Sequence, residues 1–202
     1  MDFWIALFLS PASKLFFTFE SPWWNNSEFG PGPMEPNEIS VQYTDLPMKQ
    51  CYYFGDQEAI TTPVIMASYA DDEPSFWSEL IDEVSGAIGG PVYSTVPSAM
   101  LETALKQLRY LHPDVEVLNP TSAIFVDWSR PPFGGGWHAW KSGIKSFEMA
   151  KQIRVPLNSR NLYICGEAFS EIQGWVEGAL VSAESSIKVY LTTERNSNVE
   201  QS

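Results

Sequence analysis

The sequence predicts an α/β (α+β) fold, and three observations predict it. Hydrophobic residues make up 44% and aromatic residues 14% of the 202 positions, a composition that suits a buried core and not a disordered chain. Short aromatic and β-branched runs are interleaved with segments of helical period. Near the end, an apolar run passes through a glycine turn into another helical segment. The length allows one sizeable domain or two small ones.

The elements follow in chain order. Residues 14–20, Lys-Leu-Phe-Phe-Thr-Phe-Glu, read as a strand that ends at Ser21-Pro22. Residues 21–37 carry Pro22, Pro31, Pro33 and Pro36 with Gly30 and Gly32, and read as an irregular excursion. Strands are expected at 50–54 and 63–69. Phe76, Leu80, Ile81 and Val84 recur at helical spacing behind Asp71-Asp72-Glu73, acids that suit a helix N-terminus. A second helix is expected from Pro97 to about Leu111, stopped by Pro113. Residues 122–128 read as a strand, and Arg130 to Trp140 as a glycine-rich loop crowded with aromatics. Leu162-Tyr-Ile-Cys165 reads as a short strand buried on both faces. From Gly174 to about Tyr190, Val176, Ala179, Leu180, Ala183, Ile187 and Tyr190 fall on one helical face. Residues 191–202 are polar and read as a frayed, disordered tail.

Composition narrows the function. The net charge is −13 and the pI about 4.4, which speaks against nucleic acid or anionic membrane as the main partner. All of that net charge lies in residues 15–105, which hold 14 acids and one base, Lys49. This reads as a solvated acidic face, with steering of cationic substrates the weaker alternative. Cys51 and Cys165 make no disulfide framework, and with only His112 and His138 beside them no metal site is expected. The apolar run Phe3–Leu9 is far short of a membrane span and lacks a basic leader. The expectation is a soluble protein with no membrane span or signal peptide, cytoplasmic by default. Hydrolase chemistry finds no Gly-x-Ser-x-Gly turn.

A glycine turn that opens a helix presents unpaired N–H groups and the positive end of the helix dipole, which suits an anion or a developing negative charge. The residues at that turn are more specific. Asn161-Leu-Tyr-Ile-Cys-Gly-Glu-Ala-Phe-Ser170 followed by Gly174-Trp-Val-Glu-Gly-Ala179 resembles the C-terminal flavin motif of the flavin amine oxidases, which include monoamine, polyamine and L-amino-acid oxidases. Lys14-Leu-Phe-Phe-Thr-Phe-Glu-Ser-Pro-Trp-Trp24 is similar to the strand that carries the family's flavin-facing lysine. Trp128 to Trp140 is similar to the segment that supplies one wall of the substrate cage. The three matches come in the family's order and frame residues 14–190.

The resemblance implies a mixed-sheet substrate domain over about residues 1–155, and the C-terminal strand-helix return of an FAD-binding domain over 156–190. It implies FAD as cofactor, with Gly166, Glu167, Gly174, Trp175 and Val176 in its site. Glu167 would lie by the ribityl-pyrophosphate, and the Val176 N–H would point at the flavin N1–C2=O edge, where reduction places negative charge. Trp175 would form one wall of the cage, with Trp137 and His138 opposite. Lys14, the catalytic candidate, would hold a water against flavin N5 for reoxidation. Glu167 could instead cap the following turn, and His138 could be a structural histidine. Trp137 stands where some monoamine oxidases carry a flavin-linking cysteine, so the FAD is expected to be noncovalent.

The implied reaction oxidises an amine or L-amino acid to an imine, with O2 reduced to hydrogen peroxide; the cage looks more like that of the amino-acid oxidases. The family's Gly-x-Gly-x-x-Gly turn does not occur in the 202 residues. An N-terminal FAD-binding half is therefore an expected partner, and homo-oligomerisation is compatible with the chain. Without that half, Leu162, Ile164, Val176 and Leu180 would face no partner and form an exposed apolar patch. The alternative is a truncated, noncatalytic fragment or an interaction module of the same fold.

Overall fold

A computed structural model describes residues 6–55, 62–71, 75–82, 92–93, 95–131, 135–157 and 162–200. They fall into two compact units, Pro11–Gly136 and a second formed by Met1–Ser10 with Trp137–Ser202. Mixed helices and antiparallel sheets make up both.

The Pro11–Gly136 unit is built on a six-stranded antiparallel sheet. Its strands are β2 (Ala12–Thr18), β3 (Ile39–Tyr43), β4 (Gln50–Phe54), β5 (Val64–Asp71), β6 (Val92–Tyr93) and β7 (Ser122–Asp127), in the order β3-β4-β5-β2-β7-β6. β1 (Leu7–Ser10) belongs to the other unit. Alternation along the strands sends Leu15, Phe17, Cys51, Tyr53, Ile65 and Phe125 to one face, where all are buried. Two helices supply partners to the same core, Trp77 and Ile81 from α1 (Ser75–Asp82) and Met100, Ala104 and Leu108 from α2 (Ser98–Leu111). The last three recur every fourth residue, so α2 buries one stripe. Each large side chain buried there contributes roughly 1.5–3 kcal/mol. Val84, expected on the first helix, lies outside the described residues.

The irregular segment after β2 is anchored by aromatics. Trp23 and Trp24 open a 3-10 turn, Trp23–Asn26, and both are buried. Their rings meet Phe19 edge-on at 5.9 and 5.8 Å, and Trp23 meets His112 at 5.2 Å. His112 closes α2 as a fully buried residue. Its Nδ1 lies 2.9 Å from the Ser27 hydroxyl and its Nε2 lies 2.6 Å from the Tyr53 hydroxyl. Ser27 in turn donates to Asp114.

Burial holds the His112 imidazole below its ordinary value of 6.5, and the Asp114 carboxylate offsets only part of that. A histidine with a depressed folded-state value gives stability that is complete above its unfolded value and is lost as pH falls. Asp114 acts in the same sense lower down. Burial would raise it, but bonds from the Glu28 N–H and the Ser27 hydroxyl hold it below its ordinary 3.8. Urea unfolding should therefore show stability declining below pH 6.5, by up to about 1.4 kcal/mol per pH unit for His112. His112→Gln should flatten that first decline; an equally steep profile in the variant would assign it to other groups.

In the second unit, β1 pairs antiparallel with β8 (Trp137–Trp140), with Leu9 opposite His138 and Ser10 opposite Trp137. Helix α3 (Ser146–Arg154) buries Ala150 and Ile153. Helix α4 runs Val176–Glu200, well past Tyr190.

Two expectations are corrected here. Residues 137–140 form a strand and not part of a loop, because the apolar N-terminal run pairs with them. Residues 162–165 are not a strand. Leu162 is 44% exposed, Cys165 is exposed, and the Ile164 N–H donates to the Arg154 carbonyl. A strand exists only beside another strand, and no ladder forms with this segment among the described residues.

Candidate functional site

Most of the expected site residues lie in the second unit, and a polar web ties them together. The Trp140 N–H donates to the Gln173 side-chain oxygen at 2.7 Å, and its indole N–H to the Ser170 carbonyl at 2.8 Å. Gln173 donates to the Ala168 carbonyl at 2.7 Å. The strand bearing Trp137 and His138 is thus fastened to the loop that leads from Gly166 to α4. His138 Nδ1 lies 3.5 Å from a Glu167 carboxylate oxygen. The other Glu167 oxygen accepts the Gly174 N–H. Glu167 therefore links the far end of its own loop, at Gly174, to His138 on β8.

Glycine is required where this loop meets the helix. Gly166 and Gly174 have φ of +150° and +82°, where side chains are strained. At Gly178 a Cβ would overlap the Ile172 carbonyl and the Ser170 hydroxyl. Gly178→Ala should cost about 1–3 kcal/mol in this unit, because the overlap is with backbone. Proteolysis of the Gly166–Val176 loop would report it, and unchanged cleavage rates would count against the close approach.

The start of α4 faces outward. Trp175 is 71% and Val176 75% exposed. The Trp137 indole N–H is buried and has no hydrogen-bond partner among the described residues. An exposed helix N-terminus with free N–H groups, and on β8 an indole donor unsatisfied among the described residues, would each suit the acceptor atoms of a flat, electron-accepting ring. The residues present accordingly fit a flavin.

Lys14 lies in the other unit, on β2, with its ammonium 4.6 Å above the Tyr69 ring. Trp128, also in that unit, is 36% exposed, and its N–H donates to the Ala12 carbonyl. Arg130 is tied to the buried Asp127 at 3.1 Å. Cys51 is buried, which pushes its thiol up to about 12 and leaves it a poor nucleophile. No helix among the described residues is long and apolar enough to cross a membrane. Sequence reasoning did not anticipate Gln173, which holds β8 to the loop; its place inside the motif interval was the available signal.

A family model of flavin containing amine oxidoreductases matches residues 6–186. The chain belongs to that family. Flavoprotein oxidoreductases are thus its relatives, and a flavin is the implied cofactor. Among similar proteins are Aplysianin-A of Aplysia kurodai, 27% identical over 91% of this chain and 33% of the relative, and Achacin of Lissachatina fulica, 26% identical over 89% and 34%. L-amino-acid oxidase 4 of Hebeloma cylindrosporum is 25% identical over 90% of the chain and 29% of its own length. The chain spans about a third of the length of these relatives.

Proposed function

We infer that the chain is the C-terminal part of an FAD-dependent oxidase that converts an amine or L-amino acid to an imine, with O2 reduced to hydrogen peroxide. The observation that carries this reading is the outward-facing start of α4, where Trp175 and Val176 stand exposed directly behind the Gly166–Gly174 turn. A bound flavin would supply the two-electron oxidation of the substrate C–N bond. The chain's own residues bind and orient. The Val176 N–H would donate to the ring edge where reduction places negative charge, Trp175 would screen the ring from water, and Trp137 and His138 would form the facing wall. Lys14 would hold a water that assists reoxidation by O2. Trp137 offers no nucleophile, so the cofactor is held noncovalently. In this reading residues 1–155 belong to the substrate-binding part and 156–190 to the FAD-binding part, with β1, β8 and α3 packed in the same unit as that return.

Two facts make a complementing FAD-binding polypeptide part of the proposal. The chain spans a third of its relatives, and Leu162, Val176 and Leu180 are exposed as expected for an uncovered face, whereas Ile164 is half-buried. A second reading, a noncatalytic module of the same fold, is favoured by Glu167, whose oxygens are turned to Gly174 and His138.

The visible spectrum of the chain after mixing with FAD and desalting separates the two readings. Flavin absorption that stays with the protein supports cofactor binding by this part, and peroxide release from L-amino acids then tests the substrate class. Flavin that washes out, both alone and with a complementing N-terminal polypeptide, would falsify the oxidase reading and leave the noncatalytic one.

A further inference from the structure

Lys14 stands on a sheet face whose alternation is broken at one place. Leu15 pairs with Ser68, but Phe16 pairs with Met66; Gln50 pairs with Tyr69, but Tyr52 pairs with Met66. Against both neighbours, β5 therefore carries one residue too many between Met66 and Tyr69. In a regular strand, positions three apart point to opposite faces. The bulge cancels that inversion, so Met66 and Tyr69 share the face of their partners Phe16 and Lys14. Ala67 and Ser68 are both buried, and the Ser68 hydroxyl pins the bulge by donating to the Met48 carbonyl at 2.9 Å. Bulges of this kind re-aim side chains next to functional sites.

What the bulge re-aims is the Tyr69 ring. It sits directly across from Lys14, with the ammonium 4.6 Å from its centroid, and the Tyr52 ring backs it at 6.2 Å. Burial, with the Asp71 carboxylate, raises the Tyr69 phenol above its ordinary value, so the ring meets the lysine as a neutral π face. On the same sheet face Val126, opposite Lys14, and Met66 are buried, and Lys14 itself is half-buried, so the ammonium has few places to go. A lysine side chain has four rotatable bonds, and its charge has no fixed place unless something holds it.

We propose that Tyr69 is the positioning residue for Lys14, its ring turned by the β5 bulge to hold the ammonium at one point on the sheet face. This deepens the oxidase reading, on which the role of Lys14 itself rests. In that reading the ring keeps the lysine's N–H groups aimed at the water they must hold, and reaction of the reduced cofactor with O2 depends on it while substrate oxidation does not.

The first test needs no cofactor. In the NMR spectrum of the 202-residue chain, the Lys14 ε-methylene signal, assigned by its loss in Lys14→Arg, should lie upfield of ordinary lysine from the ring current of Tyr69. Tyr69→Phe should keep the shift and Tyr69→Leu should remove it. A Lys14 signal at the ordinary position, or a shift that survives in Tyr69→Leu, overturns the proposal whatever the chain does with flavin. The second test uses the chain loaded with FAD, alone or with its complementing polypeptide. Tyr69→Leu should slow reoxidation by O2 about tenfold or more while leaving reduction by an amino acid within about twofold, and Tyr69→Phe should change neither. Equal slowing of both half-reactions would make Tyr69 merely structural. Failure to load flavin would sink the oxidase reading, while the NMR result would still decide whether Tyr69 holds Lys14.

Discussion

Replacing Asp127 with alanine should destabilise the Pro11–Gly136 unit by about 3–5 kcal/mol, the range for breaking a buried charged network by removal of one partner. Asp127 ends β7 with no solvent exposure. One oxygen accepts the Ser129 N–H at 2.9 Å and the Ser129 hydroxyl; the other accepts the Ser78 hydroxyl at 2.6 Å and the Arg130 Nε at 3.1 Å. A single side chain thus fastens α1 to the sheet and sets the direction of the chain after β7. Alanine would leave the Ser78 and Ser129 donors and the Arg130 guanidinium without this acceptor. Ser78→Ala removes one neutral donor and should cost only about 1 kcal/mol. Urea unfolding followed by tryptophan fluorescence measures both. If Asp127→Ala does not fold, Ser78→Ala still tests the network. A loss under 1 kcal/mol for Asp127→Ala, or none for Ser78→Ala, would mean that the network does not hold α1.

The parts of the fold that could be read from the sequence are those set by local patterning. β4 matches its expected bounds because Gln50–Phe54 is aromatic and sits between turn residues, and α2 follows from one apolar stripe between Pro97 and Pro113. β3 was legible in principle, since Ile39, Val41 and Tyr43 alternate strictly with polar residues, yet the proline-rich segment before it obscured the change. β1 and β8 could not be read locally. Each is four residues long, and they pair across more than a hundred positions. The expected strand at 162–165 failed for the converse reason, because its apolar composition describes a sheet neighbour that the segment does not have among the described residues. The candidate site divides in the same way. The motif named Glu167, Trp175 and Lys14, but the turn of Glu167 toward Gly174 and the bulge that brings Tyr69 under Lys14 depend on neighbours in space and leave no mark in spacing.

If the proposed oxidase reading holds, Leu180→Glu combined with Ile187→Glu should abolish association of the chain with a complementing FAD-binding polypeptide. Along α4, Val176, Leu180, Ile187 and Leu191 recur at helical spacing, and they are 75%, 60%, 57% and 52% exposed. A helix of a globular protein places its apolar stripe against a neighbour, and this one leaves large aliphatic side chains in water. Covering two such side chains contributes roughly 3–6 kcal/mol, so the double substitution should weaken binding by at least about 100-fold. The stripe also begins next to Trp175, so in the proposed oxidase the same contact would lie beside the flavin site. Two controls keep the outcome interpretable. Glu184→Gln, on the same helix with its pair Lys188, should leave association unchanged, since an exposed ion pair contributes little. Sedimentation of the chain alone shows whether the stripe is instead used between copies: a dimer that the double substitution dissolves would give the face to homo-oligomerisation. Association that survives both glutamates would place the complementing contact elsewhere and leave the stripe unexplained.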